Sequence, residues 1–153
     1  YSELMAAGAG SNIQGVFGSM NWNWQLQDAG TKAFTKSFGE KYGFPPSGAA
    51  HTCYVQTLLY ADAVTRAGTF NPCGVAEALE DFDFDGMGNG PTSYRGSDHQ
   101  CFKDVLVVRG KENPTSEFDL LEVVEVTPTS QVIYEPDHPM FAGGALGACN
   151  PGA

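Results

Sequence analysis

The sequence predicts a mixed α/β fold, and two observations lead to this class. Three segments with the spacing of amphipathic helices follow a short strand-like segment, and the second half of the chain carries β-branched runs. This order differs from the regular strand–helix repetition of a doubly wound sheet. With 153 residues, of which 42% are hydrophobic, the chain is large enough to bury a core of its own.

The beginning of the chain is predicted to hold a helix end, a strand and a helix. The opening "YSELMAAGAGSN" has the pattern of a helix end and a loop, and "NIQGVFGS" (12–19) that of a short strand. The helix that follows ends at Gly43 and Pro45–Pro46, which stop its apolar spacing. Its apolar positions are Leu26, Ala29, Ala33, Phe34, Phe38 and Tyr42.

Two further helices are predicted from their end signals. One begins after Ser47, which suits an N-cap, and stops at Gly68. The next opens at Asn71–Pro72 and runs to about Leu79, because proline is favoured at the first helical position. The apolar face of the longer helix is predicted to comprise Ala50, Cys53, Tyr54, Thr57, Leu58, Ala61 and Val64.

The second half of the chain has the pattern of strands. "DFDFDGMGNGPTSYR" is a turn-rich passage that leads into a strand. "DVLVVRGK" and "DLLEVVEV" are β-branched runs separated by a polar loop, which predicts an antiparallel hairpin. The Gly- and Pro-rich end of the chain is predicted to be irregular.

Charge and hydropathy exclude several classes of partner and location. Lys and Arg number 8 against 18 Asp and Glu, a formal net charge of −10, so the chain would repel nucleic-acid phosphates. No apolar run approaches the roughly 20 residues that span a bilayer. The opening residues lack an initiating Met and a signal-peptide core, which predicts that residue 1 lies inside a longer precursor or that the sequence is part of a chain.

The four cysteines show no C-x-x-C spacing, which argues against a zinc ribbon and against thioredoxin-like redox chemistry. An even count permits two disulfides and an oxidising compartment. Buried thiols are an equally good interpretation of the count alone.

A calcium loop is a weak candidate in "DFDFDGMGN" (81–89). Asp81, Asp83, Asp85 and Asn89 occupy positions one, three, five and nine of such a loop. The twelfth position is Thr92 rather than the usual bidentate glutamate, and no flanking helix pair is evident. An acidic surface turn is the favoured interpretation.

No catalytic arrangement emerges from the remaining motifs. The histidines lack the spacing of a helical metal site, and Asp98–His99 has no serine or cysteine placed for it to activate. The sequence also contains no G-x-S-x-G elbow and no phosphate loop. We therefore expect no enzyme activity, no metal and no cofactor.

Two tryptophans, Trp22 and Trp24, follow directly on the first predicted strand. They belong either to the core or to the aromatic lining of a cleft, and position alone favours the core.

Several segments, taken in order, resemble the C-terminal part of a type I periplasmic solute-binding protein of the branched-chain amino acid and amide-binding group. "IQGVFGS" and "AFTKSFGEKYGFPPSGAAHTCYVQTLLYADAVTRAG" are similar to the strand, helix, Pro-Pro break and Tyr-bearing helix of that family. "TFNPCGVAEALED" resembles its next short helix, and "GPTSYRGSDHQCFKDVLVVRGK" its following strands. The likeness covers about residues 12–127.

The resemblance implies a two-lobed fold in which strand-like crossovers join the lobes and the solute binds between them. Residues 1–21 would be the end of a second-lobe segment with its crossover strand, and residues 22–96 a first-lobe α/β segment. Residues 97–102 would form a hinge crossover and residues 103–127 a second-lobe β-hairpin, with an irregular tail over residues 128–153. The hinge would contain Ser19, Asp98, His99 and Gln100, whose polar groups satisfy the backbone where the lobes part.

The resemblance also implies a function. The chain would be a solute-binding component of an ABC-type importer, located in the periplasm or otherwise outside the cytoplasm. It would close its lobes on a small polar solute: an amino acid, amide, amine or small aromatic acid. Tyr54 matches the aromatic contact position of the family, and Trp22 and Trp24 are candidates through their proximity to the crossover.

Its partners would be that solute, a membrane permease and the remaining N-terminal portion of the fold, in the same precursor or as a second chain. Two alternatives stay open, a ligand-sensing or accessory subunit that reuses the fold and an acidic calcium-binding structural module.

A disulfide between Cys101 and Cys149 is expected to tie the tail to the hinge crossover, because the tail has too little apolar periodicity to hold itself in place. Cys53 and Cys73 are not expected to pair. The helix between them separates them by roughly 20 Å at 1.5 Å per residue.

Overall fold

The computed structural model describes residues 2–84, 88, 90–141 and 149. Five α-helices and six strands occur in these residues, and short 3₁₀ turns cover Gly10–Ile13 and Pro139–Phe141. The helices are α1 (Glu3–Ala9), α2 (Ala29–Tyr42), α3 (Gly48–Ala67), α4 (Pro72–Glu77) and α5 (Thr129–Val132). The strands are β1 (Phe17–Met20), β2 (Phe82–Phe84), β3 (Thr92–Arg95), β4 (Gln100–Phe102), β5 (Val105–Gly110) and β6 (Leu121–Thr127).

The ends of the three predicted helices are confirmed by their capping residues. The side chain of Ser47 accepts a hydrogen bond from the backbone N–H of Ala50, which caps α3. Gly43 and Gly68 end α2 and α3 in the left-handed conformation, with φ of 81° and 64°. These ends depend on residues close in sequence, so the sequence was sufficient to locate them.

A three-stranded antiparallel sheet with the order β1–β5–β6 holds the main hydrophobic core. The predicted hairpin is confirmed as β5 and β6, and β1 pairs with β5 so that Met20 lies opposite Leu106. A β-carbon on Gly110 would lie 1.9 Å from the carbonyl oxygen of Ile13, so only glycine allows this close approach. The core cluster consists of Ala6, Ile13, Met20, Leu106, Val108 and Leu121.

A second three-stranded sheet, with the order β2–β3–β4, follows α4 in the chain. Its strands are antiparallel, with Tyr94 of β3 opposite Phe82 of β2 on one side and Cys101 of β4 on the other. The chain leaves this sheet after Phe102 and enters the first sheet at Val105. The passage between the two sheets is therefore made by Lys103 and Asp104.

The predicted apolar face of α3 is wrong. The structure buries His51, Leu59 and Ala63, which are 1%, 4% and 0% exposed. Leu58 and Tyr54, which belong to the predicted apolar face, are 38% and 44% exposed, and the exposure of Tyr54 agrees with its prediction as a ligand contact. Both sides of this helix carry apolar residues, so periodicity alone could not decide which side is buried.

The predicted disulfide between Cys101 and Cys149 is also wrong. Cys149 is bonded to Cys73, with a Cα–Cα distance of 5.6 Å that lies within the usual range. Cys53 and Cys101 are exposed thiols, so the expectation that Cys53 and Cys73 do not pair is confirmed. Spacing along the chain does not reveal which Cα atoms approach each other, and only the fold brings the tail to the start of α4.

The predicted irregular tail contains short helical turns at Thr129–Val132 and Pro139–Phe141. The backbone carbonyl of Tyr134 accepts a hydrogen bond from Arg95 Nη1 at 2.7 Å, which ties this segment to β3. Residues 142–148 and 150–153 lie outside the described part of the chain. Within the described part, none of the helices combines the length and the hydropathy needed to span a bilayer.

Candidate functional site

Trp22 belongs to the core, and its prediction as a ligand contact is wrong. Its side chain is 0% exposed, and its Nε1 donates a hydrogen bond to Thr31 Oγ1 at 2.9 Å. Its ring is stacked on His51 with 4.2 Å between the ring centroids. It also forms an edge-on contact with Phe34, with 6.0 Å between those centroids. These contacts fix the indole on all sides and leave no surface for a ligand.

Tyr54 forms the exposed end of the same aromatic cluster. Its ring is stacked on Phe34, with 4.5 Å between centroids and 20° between planes. One face of the phenol is thereby covered and the other remains accessible, because 44% of the residue is exposed. Tyr54 is therefore placed where it could contact a ligand, and its position is fixed by the buried rings behind it.

Trp24 is half-buried and lines an apolar cavity of about 300 Å³. We call this cavity the aromatic groove. Its aromatic wall consists of Trp24, Phe38, Phe44 and Phe118, and the last two rings are stacked with centroids 5.9 Å apart. Sequence analysis did not single out Phe38, Phe44 or Phe118 as site residues. One local feature of the sequence could have indicated this aromatic wall: Phe44 stands directly before Pro45–Pro46.

Two carboxylates, from Glu3 and Glu117, also line the aromatic groove. Glu3 Oε2 accepts a hydrogen bond from the backbone N–H of Gly48 at 3.0 Å, which fastens α1 to the start of α3. The other oxygen, Oε1, is buried and has no hydrogen-bond partner among the described residues. The carboxylates of Glu3 and Glu117 give this apolar cavity a negative charge, which suits a ligand that combines an apolar group with a donor such as an ammonium group.

The groove brings together segments that are distant in sequence. Its lining comes from α1, from Trp24, from the end of α2 with the segment that follows it, and from the loop between β5 and β6. Tyr54 is not among the residues that line this groove. The structure therefore places the two remaining aromatic candidates, Trp24 and Tyr54, on different surfaces of the described part of the chain.

A buried carboxylate near the groove joins the segment after β1 to the β5–β6 hairpin. Asp119, which precedes β6, is 7% exposed and accepts hydrogen bonds from Gln25 Nε2 at 2.8 Å and Thr115 Oγ1 at 2.6 Å. It also forms an ion pair with Lys111. Burial acts to raise the pKa of Asp119, but the hydrogen bonds from Lys111 and Thr115 outweigh it and hold the pKa below its usual range.

Asp98, His99 and Gln100 do not form an extended crossover between lobes, so that prediction is wrong. Residues 96–99 form the turn of the hairpin between β3 and β4, and Gln100 begins β4. The Arg95 side chain donates to Asp98 Oδ1 at 3.0 Å, and this hydrogen bond lowers the pKa of Asp98. His99 has a φ of 56° and its Nε2 lies 2.8 Å from Glu80 Oε1.

The hinge candidate Ser19 lies in β1, opposite Val107 of β5. The passage between the sheets is held by Asp104, whose Oδ1 accepts from the backbone N–H of Thr129 at 2.8 Å. Burial lowers the pKa of the neighbouring Lys103. The link between the two sheets is therefore residues 103–104, directly after the segment 97–102 that was predicted as the crossover.

The weak calcium candidate is only partly contained in the described residues. Asp81 Oδ1 accepts a hydrogen bond from the backbone N–H of Gly96 at 2.9 Å, and Asp83 lies within β2. Asp85 and Asn89 lie outside the described residues. Over the described ranges, no group of three or more His, Cys, Asp or Glu side chains could hold a metal ion.

Comparison with known proteins gives one family and a set of similar folds. The sequence profile of a family described as "Periplasmic binding protein" matches residues 1–115. Among curated proteins, none matches the chain.

Two of the similar solved structures are transporter components. The amino acid ABC transporter substrate-binding protein from Pseudomonas fluorescens Pf-5 is 25% identical with a TM-score of 0.71, over 80% of this chain and 34% of that one. The branched-chain amino acid ABC transporter periplasmic ligand-binding protein from Burkholderia xenovorans LB400 is 27% identical with a TM-score of 0.71, over 84% of this chain and 35% of that one.

A third structure shares the fold at lower identity. It is a solute-binding protein of an ABC transporter from Rhodopseudomonas palustris BisB5, in complex with 3,4-dihydroxybenzoic acid. It is 14% identical with a TM-score of 0.70, over 84% of this chain and 35% of that one. The chain thus spans about a third of the length of these structures.

Proposed function

Because the chain belongs to the periplasmic binding protein family, we propose that it supplies part of the solute-binding component of an ABC-type importer. In this role the protein closes two lobes around a small polar solute and releases it to a membrane permease. The role requires no catalysis and no cofactor. Since the chain spans about a third of its solved neighbours, the remainder of the fold would complete the binding cleft.

The observation that carries this proposal is the aromatic groove with the two carboxylates, Glu3 and Glu117, that line it. Residues 1–21 and 103–127 are assigned to the second lobe, and residues 22–96 to the first. With this proposed division, residues from both lobes would line the groove. The carboxylates of Glu3 and Glu117 line this groove beside aromatic rings, which favours a solute with an amine and an apolar group, such as an amino acid.

The hinge is proposed to contain Ser19 in β1 and the passage at Lys103–Asp104. The chain enters the β1–β5–β6 sheet at Val105, and Ser19 lies one residue before the end of β1, where the chain leaves that sheet. A change of backbone angles at Lys103–Asp104 and directly after β1 would move one lobe relative to the other without disrupting either sheet.

An extracytoplasmic location is consistent with the cysteines as well as with the family. The Cys73–Cys149 disulfide joins residues 76 positions apart, and bonds of this kind persist in oxidising compartments.

Solute titration by calorimetry on the complete protein tests the proposal. The panel should contain leucine, phenylalanine, their N-acetylated forms and 3,4-dihydroxybenzoate. We expect saturable binding of an amine-bearing solute and at least about tenfold weaker binding of its N-acetylated form, because acetylation removes the charge that Glu3 would attract. Absence of binding by every member would contradict the proposed role for this solute class.

Tyr54 is tested in the same titration with Tyr60 as its matched control. Both tyrosines lie on α3 and are about half exposed, at 44% and 51%. Tyr54 does not line the aromatic groove, so this pair of variants distinguishes two placements of the solute. Binding weakened by ~0.5–1.5 kcal/mol in Tyr54→Phe and unchanged in Tyr60→Phe would place the solute against Tyr54 instead of in the groove. Normal binding by Tyr54→Phe together with a lower melting temperature would show that Tyr54 only supports the fold.

A further inference from the structure

The aromatic groove contains few side chains that can accept a hydrogen bond from a ligand. Its oxygen-bearing side chains are those of Glu3, Ser47 and Glu117. The Ser47 hydroxyl caps α3, and Glu3 Oε2 accepts the hydrogen bond from the backbone N–H of Gly48 at 3.0 Å. Two of the three side chains are thus engaged within the protein, and the other lining side chains are apolar apart from the indole N–H of Trp24.

Three phenylalanine rings form a continuous wall of the groove. Phe44 is stacked with Phe118 at 5.9 Å between centroids, and it makes a T-shaped contact with Phe38 at 5.7 Å and 72° between planes. The face of an aromatic ring carries partial negative charge, and its edge partial positive charge. Because the ring of Phe38 is turned relative to that of Phe44, the wall offers negative faces in more than one direction.

Trp24 lines the same cavity without joining this wall. Within the described part of the chain, its indole makes no ring contact with Phe38, Phe44 or Phe118. Trp24 is half-buried, so its position is defined while part of its surface stays accessible. Indole is the aromatic side chain that attracts cations most strongly, and it is available here to a ligand that also contacts the phenylalanine wall.

The two carboxylates give the groove a negative charge. Neither Glu3 nor Glu117 takes part in the ion pairs that the described residues form, and no Lys, Arg or His is among the lining residues. The formal net charge of −10 adds to this potential. The groove therefore attracts a cation, whereas a carboxylate on the ligand would meet no positive side chain in it.

The shortage of acceptors distinguishes between kinds of ammonium group. A primary ammonium has three N–H donors, and each donor that is buried without an acceptor costs binding free energy. A quaternary ammonium has no N–H donor, and its methyl groups are apolar surfaces over which the positive charge is spread. Such cations are held by contact with aromatic ring faces. The combination of ring faces, carboxylates and few acceptors therefore suits a cation without N–H groups.

We infer that the aromatic groove binds a small solute through a quaternary ammonium group, and that this solute carries no carboxylate. The inference rests on the proposed function, because it names the class of solute for the same groove. The cavity of about 300 Å³ lies at the lower end of the range of small-molecule sites, which agrees with a compact ligand. Trp24 and Phe118 would contact the methyl groups, and Glu117 would supply charge beside them.

Calorimetric titration of the complete protein with three matched alcohols tests the inference. Choline carries a trimethylammonium group, ethanolamine a primary ammonium group, and 3,3-dimethylbutan-1-ol a neutral tert-butyl group of the same shape as that of choline. We expect choline to bind at least about tenfold more tightly than the neutral alcohol, because only a cation is attracted by ring faces and carboxylates. We expect a similar margin over ethanolamine, because its N–H donors lose water without gaining acceptors.

Substitutions in the lining locate the bound cation. Phe118→Leu keeps the groove apolar but removes a ring face, and Glu117→Gln removes a charge. Each should lower the preference for choline over the neutral alcohol at least about threefold, whereas Phe118→Tyr, which retains a ring face, should keep it. Phe70→Leu is the matched control, since Phe70 is 78% exposed and does not line the groove, and it should leave the preference unchanged. Thermal melts show whether each variant is folded.

The outcomes separate this inference from the proposed function. Binding of ethanolamine or of the neutral alcohol as tight as that of choline would overturn the inference, and so would choline binding that Phe118→Leu leaves unchanged. Binding of leucine or phenylalanine without binding of choline would leave the proposed function standing and reject the quaternary ammonium class. Ring-dependent binding of choline alone would support the inference and replace the amino acids as the expected solutes. Failure of all these solutes to bind would reject both.

Discussion

Substitution of Asp119 by asparagine tests how much one buried carboxylate stabilises the contact between the β5–β6 hairpin and the segment after β1. Asp119→Asn keeps the size of the side chain but removes its charge and one acceptor oxygen. The ion pair with Lys111 is then lost, and one of the donors from Gln25 and Thr115 loses its partner. All of these groups lie close to the interface between the β5–β6 hairpin and the loop that follows β1.

The expected loss of stability follows from burial and from the number of hydrogen bonds. Hydrogen bonds to a charged group contribute about 1.5–3 kcal/mol each, and an uncompensated buried partner adds to the cost. The Lys111 side chain is 22% exposed and can recover part of its hydration. We therefore expect Asp119→Asn to lower the free energy of unfolding by about 2 kcal/mol.

The matched control is Glu122→Gln on the same hairpin. Glu122 pairs with Arg109, but the two side chains are 37% and 45% exposed. Exposed pairs contribute little, so the control should lose less than about 0.5 kcal/mol. Urea unfolding of the complete protein measures both values. Losses that agree within about 0.5 kcal/mol would refute the reasoning that burial makes Asp119 the stronger partner.

The same variant should change the dependence of stability on pH. The pKa of Asp119 is lowered in the folded protein, so its carboxylate stabilises the fold fully above the unfolded-state pKa of about 4. This contribution is lost as the pH falls through the folded pKa. The stability difference between wild type and Asp119→Asn should therefore be constant from pH 5 to 7 and shrink below about pH 4.

Two further substitutions test the core and the disulfide. Thr31→Val should cost about 1–2 kcal/mol, because it leaves the indole N–H of Trp22 buried without an acceptor. Thr35→Val, one turn later on α2, should be neutral or stabilising, since its buried hydroxyl has no partner among the described residues; equal effects in urea unfolding would contradict the assigned hydrogen bond. Reduction of the Cys73–Cys149 bond, which spans 76 positions, should lower the unfolding free energy by about 4 kcal/mol from loop entropy, and an unchanged urea midpoint under dithiothreitol would contradict this.

The sequence by itself determined the elements whose causes are local. Ser47 caps α3 through a hydrogen bond three residues away, and Gly43 and Gly68 end helices through their own backbone angles. The β5–β6 hairpin follows from two β-branched runs with a polar loop between them. The family resemblance was also readable, because it depends on the order of such segments, and the match over residues 1–115 confirms it.

Only the tertiary structure decided which surfaces are buried and which distant residues meet. Both sides of α3 are apolar, so the burial of His51 and the exposure of Leu58 depend on where the β2–β3–β4 sheet lies. Cys149 is bonded to Cys73 rather than to Cys101, because the position of the tail relative to α4 and β4 depends on the whole fold. Trp22 lies in the core and Trp24 lines the groove, although the two residues are only two positions apart in the sequence. The local sequence does not determine which distant residues come into contact. Burial and disulfide pairing depend on neighbours that only folding brings together.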